Sequence, residues 1–245
     1  MHELLKVFLG EFFGTAILIL LGNGVCTAVG YKKMFAASKG GNWVPIALGW
    51  GMAVLLGVLV GNAFGSGAHL NPAVTVAFAV KGAVVPEAIA VYIVSQFIGA
   101  MFGQVILNLI TYKHMLETDS ATIRSCHSTG PAYPEAIAQN IGMEFVGTVV
   151  LIGTIMALGA KGNATLGAAG PLVVMIIVMS IGFSLGSTTG YAINPARDAG
   201  PRIVYTLMPI KGEKVTANWQ YGWIPVVAPT VAGAVLGLIA RFVEL

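Results

Sequence analysis

The sequence predicts an all-α membrane protein: six transmembrane helices plus two re-entrant half-helices, arranged as an inverted-topology internal repeat. Of the 245 residues, 56% are hydrophobic and only 9% charged, against roughly a quarter charged in a soluble domain. The apolar residues fall into long windows with few charges. Two shorter apolar segments, each opened by Asn-Pro-Ala, recur at matching places in two halves of the chain.

The windows span 12–29, 44–63, 89–109, 144–159, 171–186 and 224–240, each read as one crossing of a hydrocarbon core about 30 Å thick. The first runs through Phe12, Ile17, Leu20 and Val25 at full length, so it reads as the first helix rather than a cleavable signal. Polar connectors lie at 31–42, 112–135, 161–164 and 211–219. The connector 112–135 divides a single domain into repeat 1 (1–111) and repeat 2 (136–245).

The halves echo each other. Glu11-Phe12-Phe13-Gly14-Thr15 returns as Glu144-Phe145-Val146-Gly147-Thr148. Ser66-Gly67-Ala68-His69-Leu70-Asn71-Pro72-Ala73 returns as Thr189-Gly190-Tyr191-Ala192-Ile193-Asn194-Pro195-Ala196. Three crossings per half is an odd number, so the second half threads the bilayer in the opposite sense, an arrangement that puts solute sites near the midplane. After each Asn-Pro-Ala the chain stays apolar for about ten residues, which at 1.5 Å each reach about 15 Å, half the core.

Asn is a favoured N-cap and Pro suits the first helical position, where its missing N–H costs nothing. With its oxygen held by first-turn amides, each Asn is expected to present its NH2 to a passing oxygen. Two converging helix N-termini would set partial positive charge at the centre, a barrier to cations and protons. The Gly-, Ser- and Thr-rich stretches before each motif, including Gly67, Ala68 and His69, are poor helix formers. Irregular backbone at membrane depth belongs where it lines a cavity, so their carbonyls are expected to form a ladder of acceptors. Gly10/Gly14, Gly57/Gly61, Gly99/Gly103 and Gly233/Gly237 have the GxxxG spacing of close helix crossings.

Other classes find little support. A net charge of +3 spread along the chain gives no footprint for nucleic acid. No Ser/His/Asp or paired-carboxylate set falls inside the windows, so no catalytic residues and no enzyme are read. Cys26 and Cys126 lack metal-ligand or CxxC spacing, and nothing in the sequence places them together; they read as two unpaired thiols, with no metal and no cofactor.

Ser66-Gly67-Ala68-His69-Leu70-Asn71-Pro72-Ala73-Val74-Thr75 and Gly190-Tyr191-Ala192-Ile193-Asn194-Pro195-Ala196-Arg197-Asp198-Ala199-Gly200-Pro201-Arg202 resemble the two signatures of the major intrinsic protein (aquaporin) family. The resemblance covers the whole chain, the paired Glu11 and Glu144 included. It implies a right-handed bundle, a homotetramer with one pore per subunit, a plasma-membrane location and both termini in the cytoplasm. Asp198, Arg202 and Pro225 match the glycerol-facilitator (aquaglyceroporin) subgroup, whereas Asn108 stands where that subgroup tends to carry an aromatic.

The resemblance further implies a selectivity filter of Trp50, Gly182, Tyr191 and Arg197. Trp50 lies one residue farther from Asn71 than the family pattern has it, and 57–65 could absorb the difference. Glycine at 182 is expected to leave room beside the aromatic for a polyol's carbon chain. Glu11, Glu144 and Asp198 are expected to support the pore loops, and His69 to line the pore as a hydrogen-bonding group. The implied activity is passive diffusion of glycerol and other small uncharged solutes, urea among them, with some water. Alternatives are a channel preferring water or undissociated lactic acid, and a proton-coupled transporter using Glu11 and Glu144.

Overall fold

The computed structural model describes residues 1–160, 162–163 and 169–243. Among them are twelve helices and no strand: α1 (His2–Gly30), α2 (Phe35–Ser38), α3 (Trp43–Ala63), α4 (Pro72–Lys81), α5 (Pro86–Ile110), α6 (Tyr112–Met115), α7 (Ser120–Ser125), α8 (Ile137–Leu158), α9 (Gly170–Ser184), α10 (Pro195–Leu207), α11 (Trp219–Gly222) and α12 (Ile224–Phe242). Among the described residues, five segments are long and apolar enough to cross a membrane: His2–Ser38, Trp43–Ala63, Pro86–Ile110, Ile137–Leu158 and Trp219–Phe242. The chain is an integral membrane protein.

The window at 171–186 falls on α9, which has 15 residues. At 1.5 Å per residue that is about 22 Å, short of the core thickness. Pro171 suits its first turn, and at its end Leu185 and Gly186 both donate to the Ile181 carbonyl, closing the helix. The short connector expected at 161–164 lies partly outside the described residues.

The glycine pairs sit at crossings. A Cβ on Gly99 or Gly103 would strike the backbone carbonyl of Phe12 or Ala16, so α5 meets α1 backbone to backbone. A Cβ on Gly57 would lie 2.7 Å from the Gly14 carbonyl oxygen, packing α3 on α1, and on Gly233 or Gly237 it would meet the carbonyl of Ala73 or Ala77, packing α12 on α4. Each short Asn-Pro helix therefore rests on the last long helix of the opposite half: α4 on α12, and α10 on α5, where Gly200 faces Ala100. Helix faces with the long apolar side chains Leu56, Leu59, Leu109, Ile110, Leu238 and Ile239 are exposed on the outside of the bundle, the pattern of a lipid-solvated surface.

Candidate pore and its constriction

Both Asn-Pro-Ala loops are held by a fully buried glutamate reaching over from a long helix. Glu11 on α1 accepts from Ser66 Oγ (2.9 Å), the amides of His69 (2.9 Å) and Leu70 (2.7 Å), and Gln96 Nε2 (2.8 Å). Glu144 on α8 accepts from Thr189 Oγ1 (2.7 Å) and the amides of Ala192 (3.0 Å) and Ile193 (2.8 Å). The two backbones share an unusual conformation: the third and first residues before each Asn have positive φ, Ala68 (49°) and Leu70 (51°), Tyr191 (37°) and Ile193 (43°). Each such residue costs on the order of 1–3 kcal/mol and persists only where its surroundings over-determine it; the carboxylates, each fixing two consecutive amides, do so.

Asn71 caps α4, its Oδ1 accepting from the Ala73 amide (2.9 Å), and Asn194 caps α10, accepting from Ala196 (3.0 Å) and Arg197 (3.1 Å). Pro72 and Pro195 begin the two helices, and Ala73 and Ala196 are fully buried against neighbours. The expectation that the Asn amides are wholly free is corrected by the cross-bonding. Asn71 Nδ2 donates to the Ile193 carbonyl and Asn194 Nδ2 to the Leu70 carbonyl, both at 2.8 Å. One N–H of each amide staples the two loops together, and one remains.

A cavity of about 270 Å³ is lined by Gly67, Ala68, His69, Asn71, Tyr191, Ala192, Asn194 and Arg197 together with aliphatic residues such as Leu18, Val54, Leu151 and Val178. Among the described residues no hydrogen bond reaches the carbonyls of Gly67, Ala68, His69, Tyr191 or Ala192. They are the acceptors of a chamber whose aliphatic wall is Leu18, Val54, Leu151 and Val178 and whose donors are Asn71, Asn194 and Arg197. His69 stacks between Tyr92 (4.4 Å between centroids) and Phe78 (5.3 Å), and its Nδ1 pairs with Thr75 Oγ1 at 3.1 Å. The other ring nitrogen has no partner among the described residues. Tyr92 hydroxyl donates to the Ser66 carbonyl.

A second cavity, of about 420 Å³, is walled by the connector residues Cys126 and Ser128–Ala132 and by α1 at Cys26. Trp50, Tyr191 and Arg197 face both chambers and form the wall between them. The Arg197 guanidinium carbon lies 3.9 Å from the Trp50 ring centroid, a cation–π contact. Its Nη1 is buried without a partner among the described residues, as is the Tyr191 hydroxyl. The constriction therefore offers two polar groups beside aromatic faces.

Gly182 is buried beside this wall but faces neither chamber directly. A Cβ there would lie 3.0 Å from Tyr191 Cζ and its hydroxyl and 3.1 Å from the Ala47 Cβ. The room that glycine leaves is filled by the end of the Tyr191 ring. Asp198 likewise reaches the pore loop only indirectly. It is fully buried, accepts from the Thr129 amide (2.8 Å) and hydroxyl (2.7 Å), and pairs with Arg202 at 2.8 Å. Successive helix residues point about 100° apart, so Arg197 turns to the cavity while Asp198 turns to the connector. Arg202 also donates to the carbonyls of Ala217 (2.6 Å) and Thr129 (2.8 Å).

Sequence spacing did not pick out Trp43, Cys26 or Thr129. Trp43 donates through Nε1 to the Gly182 carbonyl (2.8 Å) and meets Tyr191 edge-on at 5.8 Å. Cys26 Sγ accepts from Trp50 Nε1 at 3.4 Å. Thr129 is packed against Gly190, 3.1 Å from where a Cβ there would be. A tryptophan opening an apolar helix is a signal that could have drawn attention to Trp43.

The family described as "Major intrinsic protein" matches residues 1–240. The chain is 43% identical to the "Probable glycerol uptake facilitator protein" of Mycoplasmoides gallisepticum, over 97% of each chain. It is also 43% identical to the "Glycerol uptake facilitator protein" of Bacillus subtilis, over 96% of this chain and 83% of that one. The X-ray structure of the aquaglyceroporin from Plasmodium falciparum superposes with a TM-score of 0.83 at 28% identity, covering 98% of this chain and 97% of that one. Whole-length family match, shared fold and close relatives agree, and the chain belongs to the major intrinsic protein family.

Proposed function

We propose that the protein is a passive transmembrane channel for glycerol and other small uncharged solutes, with some water, that excludes ions and protons. The observation that carries this is the wall between the chambers: a buried arginine nitrogen, without a partner among the described residues, on a guanidinium set over the Trp50 ring, with Tyr191 lining the same wall. A polyol has hydroxyls for the polar side and a carbon chain for the aromatic side. The relatives named as glycerol uptake facilitators favour the same cargo. In this reading Trp50, Tyr191 and Arg197 form the filter, with Gly182 acting through Tyr191. Asn71 and Asn194 with their Pro-Ala partners mark the midpoint, and His69, Gly67 and Ala68 line the path.

The architecture we infer is six crossings, with α9 belonging to the fifth, plus α4 and α10 as half-helices in two inverted repeats. The matching Glu11 and Glu144 cradles, the paired positive-φ residues and the crossed packing of α4 on α12 and α10 on α5 favour it. Four copies in the plasma membrane, one pore each and termini in the cytoplasm, complete the proposal; the exposed apolar faces suit lipid and neighbouring subunits.

Stopped-flow light scattering on proteoliposomes tests it. Under a glycerol gradient, shrinkage followed by re-swelling faster than in empty liposomes is the expected result, and re-swelling no faster than empty liposomes overturns it. One feature favours a water-preferring channel as second reading: the room at Gly182 is taken by the end of the Tyr191 ring and so is not open to a polyol's carbon chain. Water efflux that is accelerated without accelerated glycerol, urea or lactic acid entry would select that reading. A proton-coupled transporter is less apt, because Glu11 and Glu144 are engaged in four and three hydrogen bonds to the loops.

A further inference from the structure

The two cysteines, 100 residues apart in sequence, both stand in the wall of the connector chamber. Both line it, both are free thiols, and Cys26 packs against the apolar cluster that contains Cys126, Tyr31, Ile123 and Tyr205. Cys126 Sγ lies 3.1 Å from where a Cβ on Gly30 would sit. Gly30 is one turn along α1 from Cys26, and residues so spaced share a helix face with Cβ positions about 5–6 Å apart. The glycine is what lets the connector sulfur come down onto the face that carries Cys26. With metal–thiolate bonds near 2.3 Å for zinc, sulfurs about 5 Å apart can hold one ion between them.

We propose that Cys26 and Cys126 form a two-thiol site for a soft monovalent cation, beside the constriction and able to close it. Thiolates select soft ions such as Cu(I), and the cluster around the pair is built of apolar and aromatic residues, with no carboxylate for a hard one. Binding replaces two S–H protons with two metal–sulfur bonds: one cation and two thiols give a complex of net charge −1 and two protons released to the chamber water. Arg197, which lines the same chamber, is the cation that complex would face. Cys26 Sγ is also the acceptor for the Trp50 indole N–H. A metal on that sulfur withdraws the acceptor, frees the indole and disturbs the wall between the chambers.

The binding arm stands apart from the channel reading; the closure arm rests on it. Silver ion serves as the probe, with bound silver per chain measured on the purified full-length protein after desalting against a competing thiol. Wild type is expected to retain one more silver per chain than the double variant Cys26→Ala/Cys126→Ala, which controls for methionine sulfur. Cys26→Ala, Cys126→Ala and the size-matched Cys126→Ser should each bind silver at least about tenfold more weakly, since even outer-shell losses cost 10–100-fold in metal affinity. Wild-type affinity in any single variant overturns the site. In proteoliposomes, silver should lower wild-type glycerol permeability severalfold, normalised to each variant's own metal-free flux, with recovery on added thiol. Silver bound with undiminished flux overturns closure. Absence of metal-free glycerol flux would instead defeat the channel reading, leaving the binding result to stand.

Discussion

The two Asn-Pro-Ala entries have nearly the same backbone and very different surroundings. Both are cradled by a glutamate, capped by the Asn and bent at the same two positions. Three and four residues on, the side chains part company. After Asn71 come Val74 and Thr75, the hydroxyl joined to His69 and Gln96. After Asn194 come Arg197 and Asp198, one turned to the cavity and the other into a buried ion pair. The lesson is that the repeat builds the scaffold twice, while the cavity-facing charge and the buried ion pair are built once, at the second entry, where the connector supplies the second chamber's wall.

The largest effect comes from removing what only the second entry has. Asp198→Thr, which copies the first entry, leaves Arg202 buried and uncompensated at 0% exposure. Breaking such a pair costs about 3–5 kcal/mol, so thermal unfolding in detergent should shift sharply downward, whereas Thr75→Val should cost only about 1 kcal/mol. Next is Arg197→Val, which equalises the cavity-facing positions. Losing a charged donor worth about 1.5–3 kcal/mol should change the glycerol-to-water permeability ratio by on the order of tenfold and admit small cations, read by flux and liposome conductance.

Gly182→His sharpens the comparison at the aromatic side. Its Cβ would meet Tyr191 at 3.0 Å, and overpacking of this kind costs about 1–3 kcal/mol. Tyr191 must give way toward the cavity, so glycerol flux should fall more than water flux. The smallest effect near neutrality concerns His127 in the connector. Its Nδ1 faces the Ile123 carbonyl (2.8 Å) and its Nε2 faces the Asn108 amide nitrogen (3.0 Å); the pair is satisfied by a neutral ring. Burial, chiefly, holds its pKa down at about 4 from 6.5. The unfolded chain takes up the proton first, so stability present above pH 6.5 is lost as pH falls toward 4. The melting temperature of wild type should drop across that window more than that of His127→Gln.

Much of this was legible because the repeat writes its equivalences into the chain. Glu11 with Glu144 and Asn71 with Asn194 are visible as echoes, and the GxxxG pairs as spacing. What was not legible depends on contacts between distant segments. The staples between the two Asn-Pro-Ala loops, the Tyr191 ring over Gly182, and the shared chamber wall of Cys26 and Cys126 follow from contacts between distant segments that no local pattern encodes. The window at 171–186 was read by hydropathy, which registers apolar character and not where the helix opens at Gly170 or closes beyond Ser184.

The reciprocal staples between the loops, Asn71 to Ile193 and Asn194 to Leu70, also set an order of events in synthesis. They join residues 122 and 124 positions apart. Domains emerge from the ribosome N-terminal end first, and contacts of long sequence separation close late. Throughout translation of the connector and α8, the first Asn must therefore wait without its acceptor and α4 without α12. The newborn channel is open-sided until its last quarter arrives, and that interval is when a chaperone, a lipid or a neighbouring subunit has access to what later becomes the pore.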